Sequence, residues 1–156
     1  KDTFFMDILF YDDGSFVRNI SVKDSFNSYN DYFTAIRQKG KDALFYKSNW
    51  WGVYALSGDT IKAQYLMHAP NATPWYTGEE WYLIKDRNTL QLIFAGDLGP
   101  LNGKPDPKRM RAVENFSPVR FYPVNETPPS YGWLKKEKFF WRNEQDWQQY
   151  MSAINK

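Results

Sequence analysis

Few residues in this chain combine the types and spacing that catalysis demands. The only histidine, His68, lies two residues before Pro70. A lone imidazole excludes a His-rich metal site and a paired acid–base relay, and it leaves Ser57 and Ser130 without a general base. Adjacent carboxylates occur at Asp12–Asp13 and Glu79–Glu80. The first pair sits in a turn, where Asp side chains bond the local backbone. The second opens a strand, where alternation sends neighbours to opposite faces. A glycosidase needs two carboxyls facing across a cleft, and Glu80 with Asp97 is the pairing a curved sheet could supply. Asp97, Asp106 and Glu114 lie in or beside one long loop, but not at the spacing of a compact calcium loop. Gly96, Gly99 and Gly103 are followed by no phosphate-binding Gly-Lys-Ser/Thr. Cysteine is absent, so thiolate chemistry and disulfides are excluded. No catalytic residue, metal ligand or cofactor is expected.

The aromatic residues are the better functional lead. Seven Trp, eleven Tyr and twelve Phe make up 19% of the chain. Tyr and Trp join a flat apolar face to a polar edge, which suits stacking on a sugar or closing over an apolar ligand. The expected ligand-binding set is Trp51, Tyr54, Tyr65, Trp75, Tyr76 and Trp81, drawn from the central strands and the loop between them. Trp81 and Tyr82 are neighbours, so they cannot both point inward. The competing reading places these rings in the core, at the rim of a barrel or in a protein contact.

These rings must be positioned by strands. Trp50 to Leu56 and Thr60 to Met67 flank Ser57-Gly58-Asp59, and Glu80 to Lys85 and Thr89 to Phe94 flank Asp86-Arg87-Asn88. Both read as hairpins, with β-branched and aromatic strands around turn residues. Phe4 to Tyr11 and Ser15 to Val22 form a third around Asp12-Asp13-Gly14, with Phe16, Arg18, Ile20 and Val22 on one face and Val17, Asn19 and Ser21 on the other. Ile61, Ala63, Tyr65 and Met67 share a face, as do Leu90, Leu92 and Phe94. Asp24 to Gln38 changes to helical spacing at Phe26, Tyr29, Tyr32, Phe33 and Ile36, stopped by Gly40. Ala43 to Tyr46 reads as a brief strand or an approach to Trp50. His68 to Gly78 and Gly96 to Arg111 are loops. Val113 to Tyr122 holds a strand centred on Arg120–Tyr122, and Tyr131 to Trp141 a further hairpin or edge strand. Asn143 caps a closing helix through Ile154. The fold class expected is mainly β: an antiparallel meander of seven to nine strands closing into a barrel, with one short helix in the N-terminal third and one at the C-terminus, in a single domain over 1–156.

The formal net charge is +2, without the pervasive basic character of a nucleic-acid binder. No apolar run is long enough for a membrane-spanning helix. The chain starts at Lys1, so an export signal or lipid-anchor cysteine upstream of it is compatible with what is visible. Asn19, Asn71, Asn115 and Asn125 each begin an Asn-x-Ser/Thr triplet, which matters only where the source glycosylates such sites.

Three phrases, Phe10-Tyr11-Asp12-Asp13-Gly14-Ser15-Phe16, Trp51-Gly52-Val53-Tyr54-Ala55-Leu56-Ser57-Gly58-Asp59-Thr60-Ile61 and Glu80-Trp81-Tyr82-Leu83-Ile84, resemble the lipocalin-like (calycin-type) domains of secreted and lipid-anchored Bacteroidetes envelope proteins. The likeness covers Phe4 to Phe94. The Gly-x-Trp that opens true lipocalins is missing, their disulfides are absent, and the helix at Asp24–Gln38 interrupts the meander early. The resemblance implies a lipocalin-like β-barrel and an exported protein of the periplasm or cell surface, secreted or lipid-anchored. The partners expected are a small apolar molecule or a glycan, or another envelope protein, and not nucleic acid. It transfers no catalytic residues. A structural or protein-interaction module with a filled barrel is the alternative, and a glycan-acting hydrolase a remote one.

Overall fold

The computed structural model describes residues 7–20, 26–40, 43–67, 76–100, 110–112, 118–130, 137–138 and 144–154. In chain order these form β1 (Asp7–Phe10), β2 (Ser15–Ile20), α1 (Tyr29–Lys39), α2 (Leu44–Ser48), β3 (Trp50–Ser57), β4 (Thr60–Met67), β5 (Tyr76–Asp86), β6 (Thr89–Pro100), β7 (Met110–Ala112), β8 (Val119–Arg120) and α3 (Glu144–Ile154). The strands make one antiparallel sheet in the order β1-β2-β3-β4-β5-β6-β7, with β8 also on β6. All three expected hairpins are present. Gly14 and Gly58 take φ of 80° and 61°, the left-handed region that a side chain resists. Asp13 braces the first turn by accepting from the Ser15 amide at 2.9 Å.

The sheet is strongly curled. Phe10 on β1 and Tyr82 on β5 meet edge to face with centroids 6.1 Å apart, yet three strands lie between theirs. In a flat sheet four strand spacings would hold them about 19 Å apart. The curl stops short of the barrel expected from the sequence. Among the described residues neither β7 nor β8 pairs with β1, and the result is an open half-barrel. The reason lies after β8, where the described chain leaves the sheet for the helices. There Tyr122 packs on Tyr29 at 5.1 Å, the Asn125 amide donates to Asn30 at 2.9 Å, and Arg37 pairs with Glu126 at 2.8 Å.

Each face of the sheet carries its own apolar core. On the convex side α1 and α2 pack Phe33, Ile36, Phe45 and Tyr46 onto Val17, Trp51 and Leu66. Helix α1 begins where Ser28 accepts from the Asp31 amide at 3.1 Å, and it ends at Gly40 as expected. Ala43–Tyr46 enters a helix, α2, where a brief strand or a plain approach to Trp50 was the expectation, because Phe45 and Tyr46 must both turn onto the helix-side core. The concave side holds Phe16, Ile61, Ala63, Tyr65, Tyr82 and Leu92.

Two bulges correct the expected facing. Ile20 joins Val17 and not Phe16, because the register slips between Asp7 and Ile8 and leaves Asn19 without an opposite residue. Phe94 packs on Trp81, centroids 4.7 Å apart, and parts from Leu92, because β5 and β6 slip by one residue at Ile93. Strand also replaces expected loop at Tyr76–Gly78 and at Gly96–Pro100. Of the expected hairpin at Tyr131–Trp141 only Glu137 and Lys138 are described, and neither is in a strand; the Asn143 cap lies outside the described residues, whereas the closing helix is α3.

Candidate functional site

The concave face is where the alternation of the strands delivers chemistry. β2 places Phe16 and Arg18 on it, β3 places Trp50, Gly52 and Tyr54, β4 places Tyr65, and β5 places Gly78, Glu80 and Tyr82. Arg18 and Glu80 are 5% and 4% exposed, and they form an ion pair through Nη1 and Oε1. The other carboxylate oxygen accepts from the Tyr82 hydroxyl at 2.5 Å. The Arg18 guanidinium also lies over two rings, 4.4 Å from the Tyr65 centroid and 5.1 Å from that of Trp50. Those rings stack at 5.7 Å and 9°. Burial, followed by the Glu80 charge, pushes the Tyr82 phenol far above its ordinary range, so it is a neutral donor to Glu80. Desolvating two charges is costly, and here each carries hydrogen-bond or ring partners that offset the cost.

Two glycines make this packing possible. At Gly52 a Cβ would meet Phe16 Cε1 and stand 2.8 Å from the Tyr65 Cα. Its absence lets Phe16 and Tyr65, on strands either side of β3, meet edge to face at 6.3 Å. At Gly78 a Cβ would stand 2.6 Å from Tyr65 Cε2, so the Tyr65 ring lies directly on that backbone. Around this buried floor stand half-buried rings. Phe10 packs edge to face on Tyr54 at 5.0 Å, and the Tyr54 hydroxyl donates to the Tyr11 carbonyl at 2.6 Å.

The six aromatics expected to bind ligand divide between faces. Tyr65 and Tyr54 are on the concave face. Trp51 belongs to the helix-side core, stacked between Tyr11 at 5.9 Å and Tyr46 at 5.8 Å. Trp81 faces away from Tyr82, as expected of neighbours, with Lys62 over its ring at 4.4 Å and Phe94 against it. Trp75 and the side chain of Tyr76 lie outside the described residues, as do His68, Asp106, Glu114 and the side chain of Asp97. Glu79 and Glu80 point to opposite faces: Glu79 accepts from Gln64 at 2.7 Å and from the Trp81 indole. Among the described residues no group of three or more His, Asp or Glu side chains is placed to hold a metal ion.

Sequence reasoning passed over Arg18, Trp50, Phe10 and Phe16 as site residues. A signal was present at Arg18, a cation at an inward position of an alternating strand beside Phe16, which demands a buried carboxylate. The match to Glu80 was not legible, because it depends on the curl that brings β2 to β5. No family model, curated protein or solved structure matches the chain.

Proposed function

We propose that this is a non-catalytic binding protein that receives a small apolar molecule or a glycan on the concave face of its half-barrel. One observation carries the reading: half-buried Phe10, Trp50 and Tyr54 ring a floor of Phe16, Tyr65 and Tyr82 on a face that, among the described residues, no strand pairing closes between β1 and β7–β8. A curved apolar face with a few fixed polar groups is the ordinary form of a small-molecule site. Glu80 is held by Arg18 and Tyr82, which speaks against its use as a free acid or base in hydrolysis.

The test is a titration of intrinsic Trp fluorescence with a linear gluco-oligosaccharide and with 1-octanol, on the wild type and on Trp50→Leu. Saturable quenching by one of the two is expected, with affinity at least tenfold weaker in the variant and urea unfolding of both proteins followed as control. No saturable response from either ligand up to millimolar concentration would overturn the reading.

A second reading is favoured by the floor itself. Phe16, Ala63 and Tyr82 are fully buried, which suits a filled structural or protein-interaction module acting through its outer surface. We also propose an exported, envelope location, periplasmic or lipid-anchored at the cell surface. It rests on the lipocalin-like resemblance, and fractionation of the source cells tests it.

A further inference from the structure

We infer that the hairpin-tip end of the half-barrel is the docking end for the ligand, and that it selects apolar molecules carrying a positive charge. This rests on the concave-face reading above and adds an end and a chemical class to it. The three hairpin tips lie side by side: the Tyr54 amide donates to Gly14 O at 2.8 Å, that of Ile84 to Asp59 O at 2.8 Å, and that of Phe121 to Asn88 O at 2.9 Å. At this end Leu56 is 65% exposed, Phe121 67% and Ile84 36%. Directly opposed strand residues share a face. Leu56 opposes Ile61, Ile84 opposes Leu90, and Leu90 opposes Val119. Ile61, Leu90 and Val119 all belong with Tyr82 in the concave-face cluster. The exposed apolar rim is therefore continuous with the proposed site, and single scattered apolar residues would not be.

Charge decides the class of occupant. Among the described side chains the three tips expose Asp12, Asp13, Asp59 and Asp86 against Lys85 and Arg87. The excess of carboxylate attracts a cationic group while the rim takes an apolar tail.

The experiment titrates the intact chain, each probe below its micelle concentration, with octyltrimethylammonium, octyl glucoside and octyl sulfate. Methyl NMR shifts of Leu56 and Ile84 are the readout. The expected result is saturable shifts at both residues, with the ammonium probe binding roughly threefold to tenfold tighter than the other two, the scale that a few exposed charges supply. In Asp59→Asn/Asp86→Asn the preference should vanish while octyl glucoside affinity is unchanged. The substitution retains the acceptor that Asp86 offers the Asn88 amide, so the turn survives. Equal affinities, or a preference for the sulfate, would overturn the charge selection and leave the concave-face reading standing. No shift at Leu56 and Ile84 from any probe would overturn the hairpin-tip docking end together with its charge selection, while the concave-face reading stands or falls on the fluorescence titration.

Discussion

At Arg18, Glu80 and Gly78 the strands leave little room for substitution, and the predicted costs differ in kind. Arg18→Met or Glu80→Leu alone strands a buried charge and should cost about 3–5 kcal/mol in urea unfolding. The double substitution removes both charges and should recover most of that loss, giving a large coupling term in a double-mutant cycle. Single losses that simply add would show that the pair contributes no mutual stabilisation. Gly78→Ala pushes a methyl into the Tyr65 ring and should cost about 1–3 kcal/mol, partly rescued by Tyr65→Leu. Equal cost in both backgrounds would sever the link to Tyr65. Residue chemistry was partly legible in the sequence: the facing of Glu79 against Glu80 and of Trp81 against Tyr82 follows from alternation alone. The need for glycine at positions 52 and 78 was not, since it arises from rings on neighbouring strands.

Elements were legible where a local rule decides them and failed where a partner does. The hairpins carried their own turn residues and α1 its stop, Gly40, whereas its start was expected at Asp24 and falls at Tyr29, behind a Ser28 cap that the spacing of the aromatics did not reveal. Ser28→Ala should cost about 1 kcal/mol of thermal stability, and an unchanged melting temperature would contradict the capping role. The bulges at Asn19 and Ile93 have no sequence signature, so Ile20 and Phe94 were assigned the wrong companions. Helix α2 was hidden for a related reason. Five residues are too few for a periodic pattern, and the requirement that Phe45 and Tyr46 reach the same core is tertiary.

For the whole molecule, closure was the expectation that failed, because pattern counts strands but not where the chain turns after the last of them. The two cores share a dependence on pH through their buried phenols. Burial chiefly pushes Tyr82 and Tyr11 far above the ordinary tyrosine value, and also raises Tyr29. A raised folded-state value means stability is fully present below about pH 10, where unfolded tyrosine ionises, and is lost as pH rises beyond it. The urea midpoint should thus fall between pH 10 and 12, with phenolate absorbance lagging in the folded protein. A flat midpoint across that range would contradict the burial of these hydroxyls.

The central claim is that the open concave face receives a ligand, and the most direct measurement is anomalous diffraction from crystals soaked in 1-bromooctane. The account predicts a saturating bromine peak in contact with Phe10, Trp50, Tyr54 or Leu90. A peak confined to the helix-side surface, or none at a concentration where Trp fluorescence responds, would contradict it.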